Sequence, residues 1–171
     1  RSKCLFFFLI EICNDLILQV AFPKLTNLLL GNLPKIKRVY SKDPQTILRF
    51  QNLQRIHVSK CASLNSLFLA SIGTCLKQLK QIRISDCGVL EEIVEAEGGE
   101  TVERMLVFEF PQVTSLVLEN LPRLECFYKG VHISKWPMLK AMWIEECEKV
   151  EVLFASGLVS KETVEERQSQ S

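Results

Sequence analysis

The chain has 171 residues, of which 47% are hydrophobic and 24% are charged. This is the composition of a globular domain with a core of its own, and it excludes disorder throughout the chain. The 21 basic residues against 20 acidic ones leave a net charge of +1, so charge gives no reason to expect nucleic acid or an anionic membrane as partner.

The first 21 residues contain no clear copy of the pattern that follows them. Their longest apolar run, Cys4 to Ile10, has seven residues, whereas a membrane span needs about 20. We therefore expect no transmembrane segment and interpret residues 1–21 as a degenerate repeat or an irregular segment. Because the chain opens at Arg1 without Met, we interpret it as a fragment cut at its N-terminus.

One apolar pattern recurs five times between residues 22 and 154. The copy that starts at Phe50 reads F-x-x-L-x-x-I-x-V-x-x-C-x-x-L-x-x-L, and copies starting at Leu76 and Trp136 follow it closely. Those starting at Phe22 and Phe110 carry Asn-Leu-Pro in place of Cys. Successive copies begin 28, 26, 34 and 26 residues apart. Apart from the long third interval, this is the period of leucine-rich repeats, roughly 20 to 29 residues.

The alternation of apolar and other residues in each copy predicts a short strand, and stacked copies align these strands in parallel. The sequence therefore predicts an α/β leucine-rich-repeat solenoid, a horseshoe with a parallel concave β-sheet and about five irregular repeats, in residues 22–159. The inward side chains should form two ladders, which are Leu28, Ile56, Ile82, Leu116 and Met142, and Leu30, Val58, Ile84, Leu118 and Ile144. The aromatic residue or leucine that opens each copy should fill the core.

Side chains between the inward positions should face the open concave side. Arginine and tryptophan are enriched at binding hot spots, so this face is a candidate for protein binding. Its candidate residues are Arg55, His57, Gln81, Arg83, Glu119, Trp143 and Glu145. The alternative is a solvated face without specific contacts, which every solenoid has.

Two segments carry an excess of one charge. Residues 95–109, in the long interval, contain five Glu and one Arg with a Gly pair, and are predicted to be an acidic loop that is either solvated or docks on a basic surface. Lys35, Lys37, Arg38 and Lys42 form either an anion-binding patch or the solvated back of a coil, and the interleaved Ile36 and Val39 favour the second interpretation. Residues 160–171 are predicted to be a disordered tail.

No pattern in the chain indicates catalysis, a cofactor or a metal. The seven cysteines include no C-x-x-C pair, and only two histidines, His57 and His132, could share a metal ion. No phosphate-binding glycine loop is present, and no nucleophile motif accompanies His57. Cys61, Cys87 and Cys147 share one repeat position and are predicted to be buried free thiols in a reducing compartment, the cytosol, where a disulfide between the first two is disfavoured.

The mixture of F-P-x-L-x-x-L-x-L-x-N-L-P with L-x-x-I-x-I-x-x-C-x-x-L-E-x-I resembles the C-terminal repeats of plant coiled-coil nucleotide-binding leucine-rich-repeat (NB-LRR) disease-resistance proteins. The segments that carry it are Phe22 to Tyr40, Leu79 to Val94, Phe110 to Tyr128 and Leu139 to Phe154. The resemblance implies a cytoplasmic immune receptor whose repeats bind a pathogen effector or a guarded host protein and restrain an attached nucleotide-binding domain. The family's P-loop has no counterpart in these residues, so nucleotide binding is not implied for them.

Two other interpretations remain open from the sequence. The repeats could recruit substrates as an adaptor of the ubiquitin-ligase type, which would use the same concave face. They could also be a non-functional fragment of a receptor gene. The sequence identifies neither the ligand nor the oligomeric state.

Overall fold

The apolar-x-apolar segments form the strands of a six-stranded parallel sheet. In the computed structural model the strands stand in the order β1 (Cys4–Phe6), β3 (Asn27–Gly31), β5 (Arg55–Ser59), β7 (Gln81–Ser85), β10 (Ser115–Glu119) and β13 (Ala141–Glu145). The structure describes residues 25–40, 50–98, 105–150 and 153, and the backbone of Cys4–Phe6 and Leu16–Ile17. Each repeat thus supplies one strand, and we call the stretch from one such strand to the next a coil.

The register of this sheet confirms both predicted inward ladders. Leu28, Ile56, Ile82, Leu116 and Met142 are consecutive partners across the five strands from β3 to β13, as are Leu30, Val58, Ile84, Leu118 and Ile144. Side chains in the first four strands of each ladder are at most 4% exposed. In β13, Met142 is partly buried and Ile144 is 38% exposed, because β13 is the last strand of the sheet.

A left-handed residue ends each of these five strands. The residues with positive φ, between 48° and 62°, are Asn32, Lys60, Asp86, Asn120 and Glu146. The amide of each of the first four donates to the carbonyl at the end of the neighbouring strand, at 2.9 to 3.1 Å, so the hydrogen-bond ladder extends into the turn. The turn then places Leu33, Cys61, Cys87, Leu121 or Cys147 against the core.

The remaining elements return the chain along the other sides of the core. They are β2 (Leu16–Ile17), β4 (Ile36–Arg38), β6 (Phe68–Leu69), helix α1 (Ala70–Gly73), β8 (Glu92–Glu95), β9 (Leu106–Glu109), β11 (Cys126–Tyr128) and β12 (His132–Lys135). They form parallel sheets in the orders β11-β8-β6, β12-β9 and β2-β4. Ile82 of β7 lines the same small internal cavity as Phe68 and Ile93, so the core lies between the large sheet and the β11-β8-β6 sheet.

The predicted leucine-rich-repeat solenoid with a parallel sheet is therefore confirmed. The helical part of the α/β class is small in the described residues, since short strands occupy most of the return path and α1 has four residues. Strands suit this path because the segments that follow each turn are rich in Ile, Val and Phe, which favour extended backbone.

The residues that open the repeats fill the core as predicted. Phe50, Leu76, Phe110 and Trp136 are between 1% and 6% exposed, while Phe22 lies outside the described residues. Phe110 also meets Phe127 edge to face, with ring centroids 5.6 Å apart. The ring that opens this repeat thus packs against an aromatic side chain on the return path of the same repeat.

The structure corrects the extent of the predicted acidic loop. Leu106–Glu109 is a strand paired with His132–Lys135, and Phe108 in it is fully buried. The strand forms because Leu106 and Phe108 alternate with outward residues. At the other end, Glu95 still belongs to β8. Residues 99–104 and the predicted tail, 160–171, lie outside the described residues.

The N-terminal segment enters the same architecture through its backbone. Cys4–Phe6 pairs in parallel with β3, and Leu16–Ile17 pairs with β4. Both are positions that a preceding coil would occupy. The rest of residues 1–21 lies outside the described residues, so the interpretation of this segment stays a prediction.

Candidate interaction surface

The large sheet has one face on the core and one face without covering elements among the described residues. On this exposed face the side chains stand in three rows that cross the strands from β3 to β13. The first row is Asn27, Arg55, Gln81, Ser115 and Ala141, the middle row is Leu29, His57, Arg83, Val117 and Trp143, and the third row is Gly31, Ser59, Ser85, Glu119 and Glu145. All seven candidate residues belong to these rows.

The middle row contains three bulky exposed side chains, those of His57, Arg83 and Trp143. His57 and Arg83 are direct partners on β5 and β7, and both are exposed. Trp143, at the end of the row, is 49% exposed, and its indole Nε1 donates to Glu145 Oε2 at 3.1 Å. Val117, between Arg83 and Trp143, and Leu29, at the other end of the row, are half-buried.

The structure pairs two of the predicted residues with each other. Arg83 Nη2 lies 3.0 Å from Glu119 Oε2, with 51% and 30% of the two side chains exposed. An exposed pair of this kind stabilises a fold by about 1 kcal/mol or less. Its charges are nevertheless held in one place, so a partner would meet an ion pair where the sequence alone suggested two separate charges.

Charge on this face is graded along the strand direction. Arg55, Lys80 and Lys140 stand at the N-terminal ends of the strands, whereas Asp86, Glu119, Glu145 and Glu146 stand at the C-terminal ends together with one cation, Lys60. Charge also changes along the solenoid axis, from Arg55 and Arg83 on β5 and β7 to Glu119 and Glu145 on β10 and β13. The gradient along the strands makes the two margins of the sheet electrically unlike.

Two residues that alternation places on this face are nearly buried. Asn27 is 9% exposed and Ser85 is 8% exposed. Asn27 Nδ2 donates to the hydroxyl of Thr26 at 3.2 Å. The accessible face is therefore concentrated on β5, β7, β10 and β13.

A groove at the N-terminal margin was not found from the sequence. It has a volume of about 520 Å³ and is lined by Arg55, Lys80, Gln81, Pro111, Gln112, Thr114 and Met138. Gln112 Nε2 donates to the Lys77 carbonyl at 3.4 Å and to Gln78 Oε1 at 3.2 Å. The sequence does show that Lys80 and Thr114 precede strands at the same repeat position, but the depth of a groove depends on how the turns are spaced in three dimensions.

A buried polar network stands apart from this face. The Tyr40 hydroxyl donates to Glu95 Oε2, which also accepts from Ser66 Oγ at 2.9 Å, and Arg38 lies 3.4 Å from Glu95 Oε1. Burial and the hydrogen bond to Glu95 raise the pKa of Tyr40 to about 12. Burial opposes the ionisation of Glu95, but hydrogen bonds from Tyr40 and Ser66 and the charge of Arg38 hold its pKa below the usual value.

This network explains part of the basic cluster in the sequence. Arg38 is an ion-pair partner within the fold, and Ile36 and Val39 are at most 1% exposed. The interpretation of the cluster as the outer side of a coil is therefore confirmed for the described residues, which include Lys35 and Lys37 but not Lys42.

Cys61, Cys87 and His132 are placed as structural residues, whereas His57 is exposed on the sheet. Cys61 and Cys87 are fully buried free thiols whose Sγ atoms donate to the carbonyls of Ser59 and Ser85. A hydrogen bond with Cys61 and burial raise the pKa of the Cys87 thiol. His132 is 8% exposed, and its Nδ1 donates to the Gly130 carbonyl at 2.9 Å.

The described residues form neither a metal-binding cluster nor a membrane-spanning helix. They contain no group of three or more His, Cys, Asp or Glu side chains placed to hold a metal ion. In the same part of the chain, no helix is long and apolar enough to pass through a lipid bilayer.

Comparison with known proteins assigns this architecture to a family. The family model described as "Plant disease resistance protein RPS2-like, leucine-rich repeats" matches residues 11–88 and 72–164. The chain belongs to this family of plant disease-resistance repeats. The two matched ranges overlap and together include every strand from β2 to β13.

Two curated proteins of Arabidopsis thaliana are similar to this disease-resistance repeat chain. A probable disease resistance protein is 29% identical over 111 residues, which are 62% of this chain and 11% of the relative. A putative disease resistance protein is 31% identical over 121 residues, which are 70% of this chain and 9% of the relative. The matches thus span about a tenth of the length of these relatives. No solved structure gave a significant match.

Proposed function

We propose that this chain is the protein-recognition and regulatory segment of an intracellular plant immune receptor, and that it binds its partner through the exposed face of the six-stranded sheet. The partner is a pathogen effector, a guarded host protein or an attached nucleotide-binding domain. Membership of the disease-resistance repeat family supports the immune role. Leucine-rich-repeat solenoids generally act as protein-interaction modules rather than catalysts, because the stacked strands present an extended binding surface.

One observation carries the assignment of this face. The middle row places His57, Arg83 and Trp143 in register on a rigid hydrogen-bonded sheet, with polar rows on both sides. An exposed aromatic anchor in the same row as an arginine two strands away, and within a polar rim, is the composition that binding hot spots favour. Trp143 is 49% exposed in this chain. A partner that covered its indole ring would bury a large apolar area, which would favour binding.

A matched pair of double variants tests this proposal. In the test variant, Arg83→Ala is combined with Trp143→Ala on the exposed face. In the control, Arg123→Ala is combined with Val131→Ala; Arg123 is exposed and Val131 is 66% exposed, and both lie on the return path. Each pair removes one arginine and one exposed apolar side chain.

The receptor carrying each pair is expressed in leaves, and the proteins that co-purify with it are quantified by mass spectrometry and then assayed individually as purified proteins. We expect at least one partner whose affinity falls tenfold or more with the face pair and less than twofold with the control pair. Partners that bind all three forms equally would refute recognition through this face. Loss of binding with the control pair alone would place recognition on the return path instead.

A further inference from the structure

The charged side chains that line the groove at the N-terminal margin of the sheet are all positive. Its lining offers two cations, Arg55 and Lys80, and three neutral donors, Gln81, Gln112 and Thr114, with Pro111 and Met138 as apolar walls. No carboxylate belongs to the lining. Met138 is 47% exposed, so an apolar surface that a ligand could cover adjoins the charged one.

Arg55 and Lys80, the two groove cations, lack ion-pair partners among the described residues. Several other cations of this fold are paired with a carboxylate. Lys77 and Lys135 both hold Glu109, at 2.9 and 3.2 Å, and Arg83 holds Glu119 at 3.0 Å. Lys80 Nζ instead contacts the neutral Gln54 Oε1 at 3.4 Å. Glu109, close in sequence to the groove wall, is therefore already neutralised, and the groove keeps an uncompensated positive potential.

The length of the groove favours an extended chain over a small anion. Its lining comes from the starts of β5 and β7 and from the turns before β10 and β13. These are four neighbouring strands, which at about 4.8 Å spacing cover about 14 Å. An extended peptide at about 3.3 Å per residue places roughly four residues in that distance.

We propose that this groove binds an extended acidic segment of the protein partner, with a carboxylate on Arg55 and Lys80 and an apolar side chain against Pro111 and Met138. The proposal rests on the proposed function, because it names the chemistry of the partner at one margin of the same face. The unlike margins favour this edge of the sheet for an acidic chain, since Asp86 and Glu146 at the opposite margin repel it.

A defined peptide tests the groove without knowledge of the natural partner. The probe is a fluorescein-labelled Glu-Glu-Leu-Glu-Glu-Leu peptide, and its comparison peptide has Gln at every Glu. Fluorescence anisotropy is measured with the whole 171-residue chain, and circular dichroism verifies that each variant is folded. Inorganic phosphate serves as the competitor that represents a small anion.

We expect the acidic peptide to bind at least tenfold more tightly than the Gln peptide. The double variant Arg55→Gln with Lys80→Gln should lose at least tenfold in affinity, and the control Arg123→Gln should stay within twofold. Met138→Ala should weaken the Leu-containing probe and leave a purely acidic Glu peptide within twofold. Inorganic phosphate should not displace the probe when it supplies the same concentration of negative charge as a displacing amount of unlabelled acidic peptide.

Three results would overturn the proposal. They are no binding of the acidic peptide, equal losses in the Arg55/Lys80 and Arg123 variants, and displacement by phosphate as effective as by unlabelled peptide. None of them bears on the Arg83 and Trp143 pair, which lies in the middle row of the face. Failure at the groove and failure of recognition through the middle row are therefore distinguishable.

Discussion

Phe110 and Trp136 stack at the starts of consecutive repeats, with their ring centroids 4.2 Å apart and their planes tilted by 30°. Phe127 closes the group edge-on, 5.6 Å from Phe110 and 5.7 Å from Trp136. The last two repeats are thus joined by an aromatic cluster as well as by the hydrogen bonds between β10 and β13. Removal of one ring should loosen the repeat that the ring opens.

The two tryptophans should therefore respond differently to truncation. Trp136 is 6% exposed and Trp143 is 49% exposed. Trp136→Ala should lower the free energy of unfolding by about 3 to 5 kcal/mol, as large core truncations do. Trp143→Ala should change it by about 0.5 kcal/mol, the usual effect at an exposed position. Urea denaturation followed by far-UV circular dichroism measures both, and equal losses would contradict the assigned faces.

The tyrosine network predicts a high-pH titration. The chain has two tyrosines, Tyr40 and Tyr128. The pKa of Tyr40 is raised to about 12, and burial together with the charge of Glu92 raises that of Tyr128 above its ordinary value. Absorbance at the phenolate band should therefore rise above pH 10.0, with the Tyr40 component centred near 12. Tyr40→Phe should remove that component only.

The same network links stability to pH, with a sign that follows from proton binding. Between 10.0, the ordinary pKa of tyrosine, and about 12, the folded protein retains a phenolic proton that the unfolded chain has released. Stability from this group is complete below pH 10.0 and declines as pH rises through the window. Chemical denaturation at several pH values should show a flatter decline in Tyr40→Phe. A parallel decline in both proteins would contradict the linkage.

The left-handed turn at Lys60 offers a stabilising substitution. Its φ is 54°, a conformation that costs an ordinary L-residue about 1 to 2 kcal/mol and that asparagine tolerates better. Lys60→Asn should raise the free energy of unfolding by about 0.5 to 1 kcal/mol. Lys149→Asn, at an exposed position outside the positive-φ set, is the control, and thermal unfolding compares the two. A gain no larger than that of the control would show that the turn is not strained at this position.

Two buried serines provide a matched test of hydrogen bonding in the core. Ser134 is 1% exposed and its Oγ has no hydrogen-bond partner among the described residues, whereas Ser66 is 2% exposed and bonds to both Tyr40 and Glu95. Ser134→Ala should be neutral or stabilising by up to about 1 kcal/mol, and Ser66→Ala should cost about 1 to 2 kcal/mol. Thermal unfolding of the two variants decides, and the reverse order would show that Ser134 has a partner in solution.

The repeat pattern was sufficient to predict the large sheet. Strand side chains alternate with a period of two, so the pairing of Leu28 with Ile56, and of Leu30 with Val58, followed once the copies had been aligned. The three outward rows were predictable as well, because they consist of the strand residues between the inward-facing ones. Burial of Cys61 and Cys87 was predictable for the same reason, because aligned positions occupy equivalent places in every coil. Cys147 was predicted to be buried as well, but its side chain is only partly buried.

The return path and the groove were less predictable because neither depends on periodicity alone. Leu106–Glu109 became a strand through pairing with β12, a partner 26 residues away. The ion pair between Arg83 and Glu119 depends on the rotamers of two side chains that lie in different rows. The groove depends on the relative depth of four turns, which the sequence specifies only through the whole fold.

The graded burial of the inward ladders has a dynamic consequence. Ile84 and Leu118 are fully buried, whereas Ile144, in the same ladder, is 38% exposed. In a solenoid each coil is stabilised by its neighbours, so the coil with the least coverage opens at the lowest free energy. Amide protons of β13 should therefore exchange with deuterated solvent sooner than those of β7 and β10. Trp143 stands on that strand, so binding of a partner there would slow the exchange and stiffen the outermost coil.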